Sequence, residues 1–177
     1  MILVLGAMAQ EARAANPNGE LEALIGGIAA GSREDLAELY RRTRAAVYGL
    51  ALSYLKNGAE AEDVAQNTFV KVWAAAPSYR PQGKPMAWLL TIARNLAEWS
   101  AFSIESDPLT ADDRPVLGAA LARLSDEERH IVVLHAMCGL KHREIAQFLD
   151  LALPTVLSKY HRSLKKLKTI LEGDDAQ

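Results

Sequence analysis

Thr155, Ser158, His161, Arg162 and Lys165 recur at three- and four-residue spacing near the end of the chain, which on a helix puts five hydrogen-bonding side chains on one face. Such groups bond base edges and phosphate oxygens, so the chemistry they offer is recognition of nucleic acid and not bond making. Val156, Tyr160, Leu164 and Leu167 fall toward the other side, as a core-facing stripe would. Lys159, Lys166 and Lys168 flank the polar face and are placed to reach phosphates, adding affinity without sequence information. An ordinary solvated Lys/Arg face has the same spacing, so the segment before the helix has to separate the two readings. Catalysis has less to stand on. His135 and His142 have no carboxylate or cysteine at ligand spacing, and no nucleophile-base spacing, phosphate loop or metal motif stands out. The expectation is a chain that is not an enzyme and has no catalytic residues, metal or cofactor.

The elements that must hold this face are a short helix from His142 to Leu149, a turn from Asp150 to Leu153, and the last helix from Pro154 to Leu171. Short helix, four-residue turn and longer basic helix is the spacing of a helix-turn-helix. Ile145, Ala146 and Leu149 would pack inward, small Ala146 letting the helices approach, while Arg143 would face the DNA backbone. Before them come a helix near Val116 to Leu124, another opened by Ser125 and Glu128 as a capping box, and a break at Cys138-Gly139.

The N-terminal half is helical by the same periodicity. Leu21, Leu24, Ile25 and Ile28 mark a first helix closed by Gly31, and Ser32 with Asp35 opens a second that runs to about Leu55 and ends at an Asn57-Gly58 C-cap. A third spans Ala59 to Ala76. Pro77, Pro81, Gly83 and Pro85 crowd one loop, and Lys84-Pro85 starts a fourth helix carrying Trp88, Leu89, Ile92 and Leu96. With no alternating β-branched run, the fold class is all-α: two small helical domains, 20–100 and 115–171, joined by a short acidic linker at 101–114, with an extension at 1–19 and an acidic tail at 172–177.

Half of the 177 residues are apolar, enough for two small domains that each bury a modest core. The net charge of -2 conceals an asymmetry: residues 115–171 hold nine Lys and Arg against five Asp and Glu, bracketed by acidic segments. A single cysteine, Cys138, excludes an intrachain disulfide and fits a reducing cytoplasm. The apolar start, Met1 to Ala9, imitates a signal peptide without its basic n-region, and the expectation is a frayed extension with no membrane insertion.

Three runs carry a family resemblance: Leu124-Ser125-Asp126-Glu127-Glu128-Arg129, Gly139-Leu140-Lys141-His142-Arg143-Glu144-Ile145-Ala146, and Thr155-Val156-Leu157-Ser158-Lys159-Tyr160-His161-Arg162. They resemble region 4 of the extracytoplasmic-function sigma factors of bacterial RNA polymerase. Ala61-Glu62-Asp63-Val64-Ala65-Gln66-Asn67-Thr68-Phe69-Val70-Lys71-Val72-Trp73, followed by Trp88-Leu89-Leu90-Thr91-Ile92-Ala93-Arg94-Asn95, resembles region 2 of the same family.

The resemblance implies a subunit that binds core RNA polymerase and promoter DNA, with an anti-sigma factor as a further partner. Asp63, Gln66 and Asn67 would dock on polymerase while Phe69, Val72 and Trp73 fill the core. Tyr79, Arg80, Gln82, Lys84 and Asn95 would capture the -10 element as single-stranded DNA, in a pocket with apolar or aromatic walls; Trp88 lies on an apolar stripe and reads as core. Arg143, Thr155, Leu157, Ser158, Lys159, His161, Arg162 and Lys165 would meet the -35 duplex. Two departures stand out. Leu157 replaces the family's usual Lys or Arg, and no Lys or Arg follows Asn95 until Arg114. The linker acids Glu105, Asp107, Asp112 and Asp113 would imitate RNA in the exit path, or be merely solvated. The competing readings are a free-standing helix-turn-helix regulator and a sigma-like interaction protein without promoter melting.

Overall fold

The computed structural model describes residues 17–103 and 116–174. Expectations for the N-terminal extension, the linker acids and the end of the tail lie outside the described residues. Helix α1 spans Pro17–Ala29. Residues 17–19, expected to belong to the extension, are therefore helical, since proline fits a first helical position where its missing N–H is not needed. Helix α2, Arg33–Leu55, is opened by Ser32, whose side chain accepts from the Asp35 backbone N–H. Lys56 then takes the left-handed conformation at the C-cap, and Asn57 is the N-cap of α3, Gly58–Ala75, its side chain accepting from Ala59 and Glu60. The Asn57-Gly58 step thus begins a helix, where a C-cap was expected, because the Asn57 oxygen satisfies two otherwise free amides.

A 3-10 turn at Ala76–Ser78 leads into the proline-rich loop, and α4 runs Pro85–Ser103, past the residues expected to begin the linker. Four further helices follow: α5 Val116–Ala122, α6 Asp126–Ala136, α7 His142–Leu149 and α8 Leu153–Asp174. The capping box of Ser125 and Glu128 is formed in both directions. Among the described residues there is no strand, and no helix is long and apolar enough to cross a membrane.

Helix α2 lies at the centre, packed against α1, α3, α4 and α6. Val47 and Leu50 on α2, Val72 on α3 and Leu90 and Ala93 on α4 are fully buried together. Ile131 and Leu134 of α6, Ile145 of α7 and Val156 of α8 belong to the same continuous cluster. The main cluster therefore runs through both halves, where two separate cores were expected, and each half adds a smaller one of its own, around Leu55 and Val64 in the first and Leu124 and Leu167 in the second. At roughly 1.5 to 3 kcal/mol for each large apolar side chain removed from water, this shared core is a major part of what holds the helix-turn-helix half in place. Trp73 stays more than a third exposed at the end of α3 and does not fill the core as expected, whereas Phe69 and Val72 do.

Candidate nucleic-acid interface

Helices α7 and α8 meet at Asp150, which takes the left-handed conformation and ends α7. Ile145 and Val156 close the joint from inside, with Ala146 buried between the two helices. On α8, Leu157, Ser158, His161, Arg162 and Lys165 are exposed on one side, Thr155 is half-buried at the first turn, and Arg143 is exposed at the start of α7. The inner side differs from expectation in one place. Leu164 is 42% exposed, and buried Ser163 faces the core instead, its hydroxyl donating to the Lys159 carbonyl at 2.8 Å. Lys159 pairs with Glu127, and Lys166 with Glu128 at 2.8 Å, so both cations meet acids of α6 before any phosphate. Lys166 holds the Glu128 carboxyl below its ordinary range, and the Ser125 cap adds to this. His135 and His142 stack at 4.4 Å with Tyr160 edge-on to both, a packing role; burial and the neighbouring imidazoles push His142 down. Among the described residues no three His, Cys, Asp or Glu side chains are grouped to hold a metal ion.

The loop between the 3-10 turn and α4 is shaped from a distance by α1. One Glu22 carboxylate oxygen accepts from the Tyr79 hydroxyl at 3.0 Å, the Gln82 amide at 3.1 Å and the Gly83 amide at 2.8 Å. Gly83 stands at φ 70, where a side chain would be strained, and its carbonyl accepts from the Asn18 side chain at 3.0 Å. Burial and the Glu22 bond push the Tyr79 hydroxyl up to about 12, so it remains a donor. The Tyr79 ring packs on Trp88 at 4.9 Å. Tyr79, Arg80, Gln82 and Lys84 line a cavity of about 450 Å³ with Trp88 and Thr91. Trp88 is thus partly buried and a wall of the cavity at once. Asn95 is exposed one turn further along α4 and is not part of the cavity lining.

Asp63, Gln66 and Asn67 share one exposed face of α3, which Val70 and Trp73 extend with exposed apolar surface. In the stretch after Asn95 that holds no Lys or Arg, Trp99 and Phe102 stand strongly exposed on α4.

Several residues that spacing did not single out hold the halves together. Arg129, 6% exposed in its side chain, donates to the Ser53 carbonyl at 3.1 Å across the α2/α6 junction and pairs with Asp126. His130 stacks on Tyr54 at 3.9 Å; burial and the adjacent Arg129 push it down to about 4. Arg94 donates to the Phe148 carbonyl at 2.5 Å and lies over the Phe148 ring, and Lys84 donates to Gln147 at 2.8 Å. The Cys138 thiol, pushed up to about 12 by burial, sits 3.6 Å from the Ala46 carbonyl.

Residues 39–98 match sigma-70 region 2 and residues 115–167 match sigma-70 region 4. The chain is 30% identical to the ECF RNA polymerase sigma factor SigK of Mycobacterium sp. (strain KMS), with 93% of this chain and 97% of that protein covered. It is also 30% identical to SigK of Mycobacterium ulcerans (strain Agy99), with 87% and 95% covered. Among solved structures, CnrH in complex with the cytosolic domain of CnrY aligns with a TM-score of 0.64 and 25% identity over 88% of this chain and 99% of that one. The sigma factor RpoE of Bartonella quintana, in complex with the anti-sigma factor NepR, shares the fold with a TM-score of 0.65 and 23% identity over 78% and 98%. Both halves of the molecule, in order and over almost the full length of these relatives, place the chain in the sigma-70 family as an extracytoplasmic-function sigma factor, which directs promoter-specific transcription initiation.

Proposed function

We propose that the two halves divide the promoter between them. The cavity bounded by Tyr79, Arg80, Gln82, Lys84 and Trp88 takes an extruded base of the single-stranded -10 element, and the exposed face of α8 reads the -35 duplex. The observation that carries this is the region-2 side of the cavity, where Arg80, Gln82 and Lys84 supply polar and cationic groups beside the Tyr79 and Trp88 rings, with Glu144, Gln147 and Phe148 of α7 lining the rest. Asn95 would meet the strand beyond the cavity. Asp63, Gln66 and Asn67, with Val70 and Trp73 beside them, would dock on core polymerase. Exposed apolar groups next to polar ones are what an interface of this kind needs. The work would be done in the cytoplasm, with no reaction catalysed by the chain itself.

An anti-sigma factor is a proposed further partner, because RpoE of Bartonella quintana was solved with one. With no cation between Arg94 and the end of α4, backbone attraction beside the melted strand is weaker than in relatives with a basic run there, and strand separation leans on polymerase. Reconstitution tests the proposal. Core polymerase plus this chain should initiate at stress-type promoters, and Arg80→Ala with Lys84→Ala should abolish initiation while core binding persists. Failure to bind core at all would remove the reading.

A further inference from the structure

We propose that Glu22 is a positioning residue for -10 recognition, an inference that rests on the function proposed above. The loop that carries Tyr79, Arg80, Gln82 and Lys84 has one proline, one glycine and no regular backbone pairing, so its shape must come from elsewhere. Glu22 supplies it. A single carboxylate oxygen gathers one hydroxyl and two amides, and Asn18 takes the Gly83 carbonyl, so α1 grips the loop on both its donor and its acceptor side. A base pocket discriminates only if its polar groups are fixed before the base arrives, because a loop free to move can follow a wrong base. The test uses Glu22→Ala and Glu22→Gln in the full chain. Glu22→Gln keeps an acceptor oxygen, while Glu22→Ala keeps none. In Glu22→Ala the Gln82 and Gly83 amides should exchange with deuterium at least about tenfold faster, and the holoenzyme should lose about tenfold in discrimination on a promoter library randomised across the -10 element. Glu22→Gln should restore both. Unchanged exchange in Glu22→Ala, or discrimination kept despite faster exchange, overturns the inference. A wild-type holoenzyme that shows no discrimination on the library removes the promoter reading, and the exchange result stands apart from it.

Discussion

Arg162 stands in the exposed face of α8 with Ser158 one turn before it and Lys165 just under one turn after. If its guanidinium reads a base edge, Arg162→Ala should weaken binding of a -35 duplex by about 1 to 3 kcal/mol and relax preference at one position. A uniform loss across sequences, measured by fluorescence anisotropy, would make it a phosphate contact instead. His130 makes a different kind of prediction. Burial and Arg129 hold its imidazolium off down to about 4, against an ordinary value of 6.5. Between those values the unfolded chain binds the proton and the folded one does not, so stability present above 6.5 is lost as the pH falls toward 4, by up to about 1.4 kcal/mol per unit. Arg129, Lys56 and Asp126 face the same ring, and Asp126, like Glu128, has its carboxyl held below its ordinary value, 3.8 and 4.5 respectively, so these acids begin to give up stability only near the bottom of that window, below pH 5. Urea unfolding at pH 7 and pH 5 should show His130→Phe losing about 1 to 2 kcal/mol less than the parent. Equal losses would count against the buried neutral imidazole.

At the scale of the element, α8 is an amphipathic helix on which apolar Leu157 is exposed near the N-terminal end among hydrogen-bonding neighbours. Leu157→Arg should raise affinity for duplex DNA and steepen the dependence of log K on log salt by about one, as one more phosphate is neutralised. An unchanged slope would show that position 157 points away from the backbone. The helix itself was legible in the sequence because its signals are local: three- and four-residue spacing, and Ser125 with Glu128 or Ser32 with Asp35 three residues apart. Ambiguity arose where two local rules compete. Asn57-Gly58 fits both the end of one helix and the start of the next, and the left-handed Lys56, a residue with no special claim to that conformation, decided it. Trp73 and Leu164 follow apolar stripes yet stay exposed, since periodicity gives the angle of a side chain on its helix and not what lies opposite. Glu22, Arg94 and Arg129 were illegible for a stronger reason. Their partners lie 60, 54 and 76 residues away, and no spacing rule reaches that far.

The two-domain layout was legible at the scale of the whole molecule, and the contact between the domains was not. Composition and periodicity show that each half can form helices, but nothing in either half announces that α6 will lie on α2. The junction is chemically mixed: Ile131 and Leu134 are buried without remainder, while Arg129 is sealed inside with its bonds directed to backbone carbonyls of both halves. A cation so placed is strongly destabilising when a partner is removed while it stays buried, because its charge is then left uncompensated, and the apolar cluster around it runs through both halves. The free chain should therefore unfold as one cooperative unit. Calorimetry should give a single transition whose van't Hoff and calorimetric enthalpies agree, where independent domains would give two. Gly49→Leu, whose side chain would run into that of Met137 at the C-terminal end of α6, should split that transition and lower the stability of the α5–α8 half, since Ile131, Leu134 and Val156 then lose the shared core. A single transition of unchanged midpoint in that variant would mean that the α2/α6 contact adds nothing to the stability of either half.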